Sequence, residues 1–269
     1  MGHHGQMHAH TGVGLCPDAP VDSDADPSPE PHDMPDLPDM EGYLPTTSFR
    51  SRRSALSNAQ RETWERLWPE LGMLALPRAP HAQPLDTRAW FGREAPVVLE
   101  VGSGSGTSTL AMAQAEPGID VIAVEVYKRG LAQLLCAIDT AKINNIRLIR
   151  GNAVDVLDNM IAPASLSGVR VFFPDPWPKA RHHKRRFLQP ATIALIADRL
   201  LPGGVLHAAT DHPGYAEHIA AVGDAEPGLV RAGVGTESLP ISVRRPTTKY
   251  ETKAQEAGSA VTELIWRRR

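Results

Sequence analysis

Val97-Val98-Leu99-Glu100-Val101-Gly102-Ser103-Gly104-Ser105-Gly106-Thr107 is the stretch that decides the fold. Its first five residues are almost wholly aliphatic and read as a buried strand, and residues 107–114 read as a helix. Between them three glycines in G-x-G-x-G order let the backbone turn tightly and approach a ligand with no Cβ in the way. The spacing differs from the G-x-G-x-x-G of nicotinamide and flavin binders, which argues against an oxidoreductase. A glycine loop alone also fits a plain tight turn. A strand before it and a helix after it put it at the end of a sheet where ligands bind.

The same alternation continues outward. Residues 121–125 read as a strand, 128–140 as a helix, 146–149 and 169–173 as strands, and 190–201 as a helix stopped by Pro202-Gly203-Gly204. Residues 205–210 form the next strand, and 229–230 and 262–266 the final ones. Upstream, Trp64, Leu67, Trp68 and Leu71 recur at helical spacing, with Ser57 or Asn58 as cap. Buried strands alternating with helices predict an α/β fold, a doubly wound, mostly parallel sheet of seven strands with helices on both faces.

Glu125 closes the second strand, 19 residues beyond Gly106. A carboxylate there suits a ribose diol, or else caps the next helix. Glu100 suits the ammonium of an amino-acid moiety, or else supports the loop. Asn152, after the third strand, suits an adenine amino group, or else is a turn residue. Together with Gly102, Gly104 and Gly106 these groups describe a pocket for adenosine, ribose and methionine.

Downstream stands Phe173-Pro174-Asp175-Pro176-Trp177-Pro178-Lys179, followed by Arg181-His182-His183-Lys184-Arg185-Arg186. The prolines stiffen the segment around an acid and an aromatic, an arrangement suited to the edge and face of a planar base. Trp177 either stacks on that base or braces the loop, and bracing is favoured. The basic block either meets phosphates or is a solvated face, and its place beside the acidic loop favours phosphates.

The formal net charge of −3 conceals a division. Residues 1–49 hold nine of the 31 acids and no Lys or Arg, so the remainder carries 28 basic residues against 22 acidic ones. A basic body suits a polyanionic ligand. Residues 1–45 are rich in Pro, Asp and His and poor in apolar side chains, so a disordered tail is expected, with the domain proper over 46–269. The tail's histidines (His3, His4, His8, His10) read as a polar tail rather than a metal site, and no metal is expected. No apolar run is long enough for a membrane span, and the start lacks a secretory pattern. Cys16 and Cys136 lie in unlike contexts, so reduced thiols in the cytoplasm are expected.

At these residues the chain resembles the class I S-adenosylmethionine-dependent methyltransferases, and more narrowly the bacterial tRNA (guanine-N7-)-methyltransferase family. The narrow resemblance rests on residues 173–186, on Pro202-Gly203-Gly204 leading to Ala209-Thr210-Asp211 and Tyr215-Ala216-Glu217-His218, and on Arg245-Pro246-Thr247-Thr248-Lys249-Tyr250-Glu251. It covers about residues 55–269. It implies a Rossmann-like fold and methyl transfer from S-adenosyl-L-methionine to N7 of a guanosine in the tRNA variable loop, leaving S-adenosyl-L-homocysteine. Cofactor contacts from Glu100, Glu125 and Asn152 are implied, with Asp175 as the catalytic residue where cofactor and base meet. Substrate contacts from Lys179, Asp211, Thr248, Lys249, Tyr250 and Glu251 are implied, and RNA contacts from Arg181, His182, His183, Lys184, Arg185 and Arg186. The partner expected is tRNA, with no membrane, no obligatory protein partner, and a monomer or homodimer. Asn152 stands where the family often has Asp, Tyr250 replaces the usual Phe, and Thr252-Lys253-Ala254 replaces an Arg-Gly that usually follows the Glu. The competing readings are a methyltransferase for an exocyclic amine or a small molecule, and a non-catalytic RNA-binding module.

Overall fold

The structure is a computed structural model and describes residues 55–76, 83–233, 238–247 and 260–269. The expected tail over 1–45 therefore lies outside the described residues. Strands β1 (Gly72–Leu74), β2 (Val97–Val101), β3 (Asp120–Glu125), β4 (Ile146–Arg150), β5 (Leu166–Phe172), β6 (Leu200–Thr210), β7 (Leu229–Arg231) and β8 (Thr262–Arg268) form one sheet in the order β1-β4-β3-β2-β5-β6-β8-β7. Its first six strands are mutually parallel, while β8 pairs antiparallel with both β6 and β7.

The helices are α1 (Asn58–Leu71), α2 (Thr87–Phe91), α3 (Thr107–Ala115), α4 (Lys128–Ala141), α5 (Ala153–Asn159), α6 (Pro190–Arg199) and α7 (Pro213–Ala225). Every residue of β2 and β3 is buried, as a strand covered on both faces requires. Alternate residues feed two cores. Leu99, Ile122 and Val124 pack with Val156 and Leu157 of α5, Ile193 and Ile196 of α6 and Ile219 of α7. On the opposite face Val121, Ala123 and Leu148 pack with Leu110 of α3 and Leu131, Leu134 and Leu135 of α4. Farther along that face, Val98 and Val205 are covered by Ile241.

Two expectations are corrected. The sheet has eight strands among the described residues, not seven. The addition, β1, is three residues long and follows α1 directly, too short for any periodic signal; it exists through its pairing with β4, Gly72 opposite Leu148. The helix expected over 190–201 ends at Arg199, and Pro202-Gly203-Gly204 lies inside β6. Leu166 pairs with Leu200 and Gly168 with Val205, so Leu201 to Gly204 form a bulge on β6. Gly203 takes a left-handed φ of 81° there. Pairing with β5 overrides the helical continuation that Leu200 and Leu201 suggest.

The strand order reverses direction between β2 and β5, with β3 and β4 to one side and β6 to the other. Such a switch point leaves a crevice at the carboxyl ends of its two strands. The glycine loop leaves β2 there, and the Pro174-Asp175-Pro176 segment leaves β5 there.

Candidate active site

The glycine loop is held open by its own backbone. Gly102 and Ser103 donate to the Val124 carbonyl at 2.8 and 3.2 Å. Gly102, Gly104 and Gly106 have φ of 71°, 57° and 78°, a region that disfavours any side chain. The three positions differ in what a Cβ would meet. At Gly102 and Gly104 it would project into open space, whereas at Gly106 it would lie 2.6 Å from Leu134 Cδ1. The first two glycines therefore line a cradle, and the third seats α3 against α4.

Glu100 is buried, 2% exposed. Its Oε1 accepts from Thr109 Oγ1 at 2.9 Å, and its Oε2 has no partner. Burial pushes its carboxyl up to about 7, against the opposing pull of the Arg170 guanidinium and the Thr109 hydroxyl. Ser103 Oγ, within the loop, is also buried and unpartnered. Two orphaned polar atoms beside an open cradle are what a polar ligand would satisfy.

Glu125 takes three backbone amides. Its Oε2 accepts from Gly104 at 2.9 Å, and its Oε1 from Val126 at 2.7 Å and Tyr127 at 3.0 Å. It thus ties the loop to the residues just before α4, close to the helix-cap alternative, at the carboxyl end of β3. Burial raises its pKa, those amides lower it, and the charge of Asp175 raises it. That last influence brings the ends of β3 and β5 within electrostatic reach. Asn152 caps α5, its Oδ1 accepting from Val154 at 2.9 Å.

Asp175 is exposed, on a loop held from several sides. Phe173 leaves β5 at φ 50° while its amide donates to the Ala209 carbonyl at 2.8 Å. Trp177, at φ 43°, is 9% exposed, with the Arg185 guanidinium 5.0 Å from its ring centre and His182 edge-on at 6.0 Å. Its ring is thereby committed to bracing. Residues 180–185 form a 3-10 helix.

The basic block divides. Arg181 and Lys184 are exposed, and His182, His183 and Arg185 half-buried. Arg186 departs from the expected RNA contact. It is 5% exposed, its Nε donates to the Pro176 carbonyl at 2.8 Å, and its guanidinium lies 4.8 Å from the Tyr215 ring centre. It holds the Asp175 loop rather than offering charge to solvent. His182 Nε2 lies 3.3 Å from Arg181 Nε. Desolvation, then the charges of Arg185, Arg181, Lys179 and Lys184, lower its pKa.

Lys179 and Asp211 are exposed at the ends of the same crevice, one before the 3-10 helix and one after β6. Thr248, Lys249, Tyr250 and Glu251 lie outside the described residues. Among the described residues no cluster of three metal-ligating side chains exists, and no helix is long and apolar enough to cross a membrane.

One residue that sequence reading quoted but gave no role is Arg245. Its side chain is 3% exposed, with Nη2 3.1 Å from Glu263 Oε1. Its guanidinium lies 4.9 Å from the Phe173 ring centre and 5.5 Å from that of Phe172. Glu263 Oε2 pairs with the fully buried His207 at 2.8 Å, and the His207 bond and the Arg245 charge help hold Glu263 below the usual carboxylate range. The segment before Arg245 is anchored too. Ser242 donates to Glu116 Oε1 at 2.6 Å, and Glu116 Oε2 pairs with the buried Arg170 at 2.6 Å. A strap over residues 238–247 thus runs across the sheet to the root of the Asp175 loop.

A methyltransferase family model matches residues 94–264 of the chain. A protein of Mycobacterium tuberculosis (strain H37Rv) called tRNA (guanine-N(7)-)-methyltransferase is 71% identical, over 100% of this chain and 96% of that protein. Proteins of the same name from Mycobacterium bovis (strain BCG / Pasteur 1173P2) and Mycolicibacterium paratuberculosis (strain K-10) are 71% and 67% identical, over 96% and 100% of their own lengths.

Proposed function

Since the chain belongs to the tRNA (guanine-N7-)-methyltransferase family, we propose that it methylates N7 of a guanosine in the tRNA variable loop with S-adenosyl-L-methionine as donor. S-adenosyl-L-homocysteine is the other product. The reading is carried by one observation, the open glycine cradle with the unpartnered Oε2 of Glu100 behind it and Asp175 across the switch point.

The residues fit the donor. Gly102 and Gly104 give its chain room, and Glu100 has a vacant acceptor for its ammonium. Glu125 would accept from the ribose diol through the lone-pair capacity left on Oε2. The side-chain amide of Asn152 would meet the adenine edge. When bound, the donor supplies an electrophilic methyl group on a positively charged sulfur.

Guanine N7 has an in-plane lone pair and no proton, so the protein need not remove one. Catalysis then rests on alignment and on charge placement. Asp175 accepts from the guanine N1–H and exocyclic amine and faces the positive charge that the ring acquires. Asp211 assists, and Lys179 with residues 248–251 holds the nucleotide. Arg181, Lys184 and Arg185 meet phosphates, with Arg186 holding the loop beneath them. The guanosine leaves its stack to reach the crevice. The domain spans 46–269, acts in the cytoplasm and needs no protein partner or metal.

The deciding experiment incubates the protein with S-adenosyl-L-methionine and unmodified tRNA transcripts, then analyses nucleosides by mass spectrometry. The expected product is 7-methylguanosine at one variable-loop position, lost in Asp175→Ala while both ligands still bind. A different methylated nucleoside would replace the substrate. Full turnover in Asp175→Ala would remove Asp175 from the mechanism.

A further inference from the structure

On the other flank of the crevice two half-buried cations stand without an ion-paired carboxylate among the described residues. Lys128 opens α4, three residues after Glu125, and Arg150 ends β4 directly opposite Glu125 in the register. Their elements are locked together, the Gly151 amide donating to the Glu125 carbonyl at 3.1 Å and Arg150 Nε lying 3.5 Å from the Val126 carbonyl. No carboxylate of the described residues lies within ion-pair distance of Lys128, Arg150 or the neighbouring Arg61 of α1. Desolvation lowers the Lys128 pKa, and the charges of Arg150 and Arg61 lower it further, with only Glu65 acting the other way. Desolvation also lowers the Arg150 pKa. Removing like charges from water side by side costs free energy unless an anion joins them.

We propose that Lys128, Arg150 and Arg61 form a second phosphate-binding site for the tRNA backbone, on the opposite side of the crevice from the 3-10 helix. The inference rests on the family reading above. An aromatic neighbour does not turn the patch into a base-stacking platform. One face of Trp64 is covered by Trp68, ring centres 4.1 Å apart, and the Lys128 ammonium lies 4.9 Å from the Trp64 ring centre. The ring instead fixes the ammonium in place. β4 and β5 are three strand steps apart, about 15 Å at the usual spacing. A backbone crossing the crevice therefore meets cations on both banks, which sets the direction in which the tRNA lies.

The test uses the full chain and an unmodified tRNA transcript, with affinity measured as a function of salt. Lys128→Gln and Arg150→Gln are each expected to weaken binding and to reduce the magnitude of the slope of log affinity against log salt by about 0.7 to 0.9 per lost contact. Cofactor affinity and turnover at saturating tRNA are expected to stay as in the parent. Should Arg150→Gln unfold, Lys128→Gln and Arg61→Gln carry the test alone. A parental slope and affinity in the variants that fold would overturn the proposal. Parental protein that binds tRNA through this patch but forms no 7-methylguanosine would sink the activity proposed above and leave the patch standing.

Discussion

Glu100 shows how a single buried group couples binding, stability and pH. Its folded pKa of about 7 lies above the ordinary carboxylate value, so the folded protein holds a proton there that the unfolded chain has already released. Stability of the cofactor-free protein therefore declines as pH rises from about 4.5 to about 7, and the full loss persists above that. Glu100→Gln is expected to stabilise the cofactor-free protein at pH 8 by up to roughly 3 kcal/mol, read by thermal or denaturant unfolding. The same change is expected to weaken S-adenosyl-L-methionine binding severely. In the parent, an ammonium requires the ionised form, so affinity should fall about tenfold per pH unit below 7 and level off above it, as calorimetry would show. A flat profile would mean that Glu100 does not meet the cofactor's charge.

At the scale of elements, the glycine loop and the strap make separable predictions. Both Gly104→Ala and Gly106→Ala put a side chain at positive φ, but only the second collides with Leu134. Gly106→Ala should therefore lower the melting temperature more, and Gly104→Ala should lower cofactor affinity more. Equal effects on both readouts would contradict the division between cradle and seat. Arg245→Ala frees Phe173 from its cation and removes one partner of Glu263. Turnover is expected to fall roughly 10- to 100-fold through misplacement of Asp175, with cofactor affinity unchanged and Arg245→Lys recovering part of the loss, by single-turnover assay. The alternation of apolar strands with helices was legible because strands covered on both faces must be continuously apolar. β1 was not legible, because three residues carry no period and its stability comes from β4. The placement of Glu100, Glu125 and Asp175 around one crevice was legible because each lies at or just beyond the end of a recognisable strand. Arg245 and the structural role of Arg186 were not, since nothing local separates an arginine that faces solvent from one that stacks under a loop.

Across the whole molecule charge is unevenly distributed. The nine acids of residues 1–49 offset a body with more basic than acidic residues. Deleting residues 1–45 is expected to strengthen tRNA binding at low ionic strength and to have little effect near 1 M salt, where the Debye length is about 3 Å. Equal affinities at low salt would show that the tail does not compete for the basic surface. The sheet's chain order carries a different lesson. Its last strand, Thr262–Arg268, is an interior one lying between β6 and β7, with Trp266 fully buried and Arg269 bonded to Gly228. The growing polypeptide cannot close its sheet until residues 262–268 have emerged from the ribosome. Until then β6 and β7 have no strand between them, and a chain cut short before Thr262 would leave an open β6 edge instead of a slightly shorter enzyme.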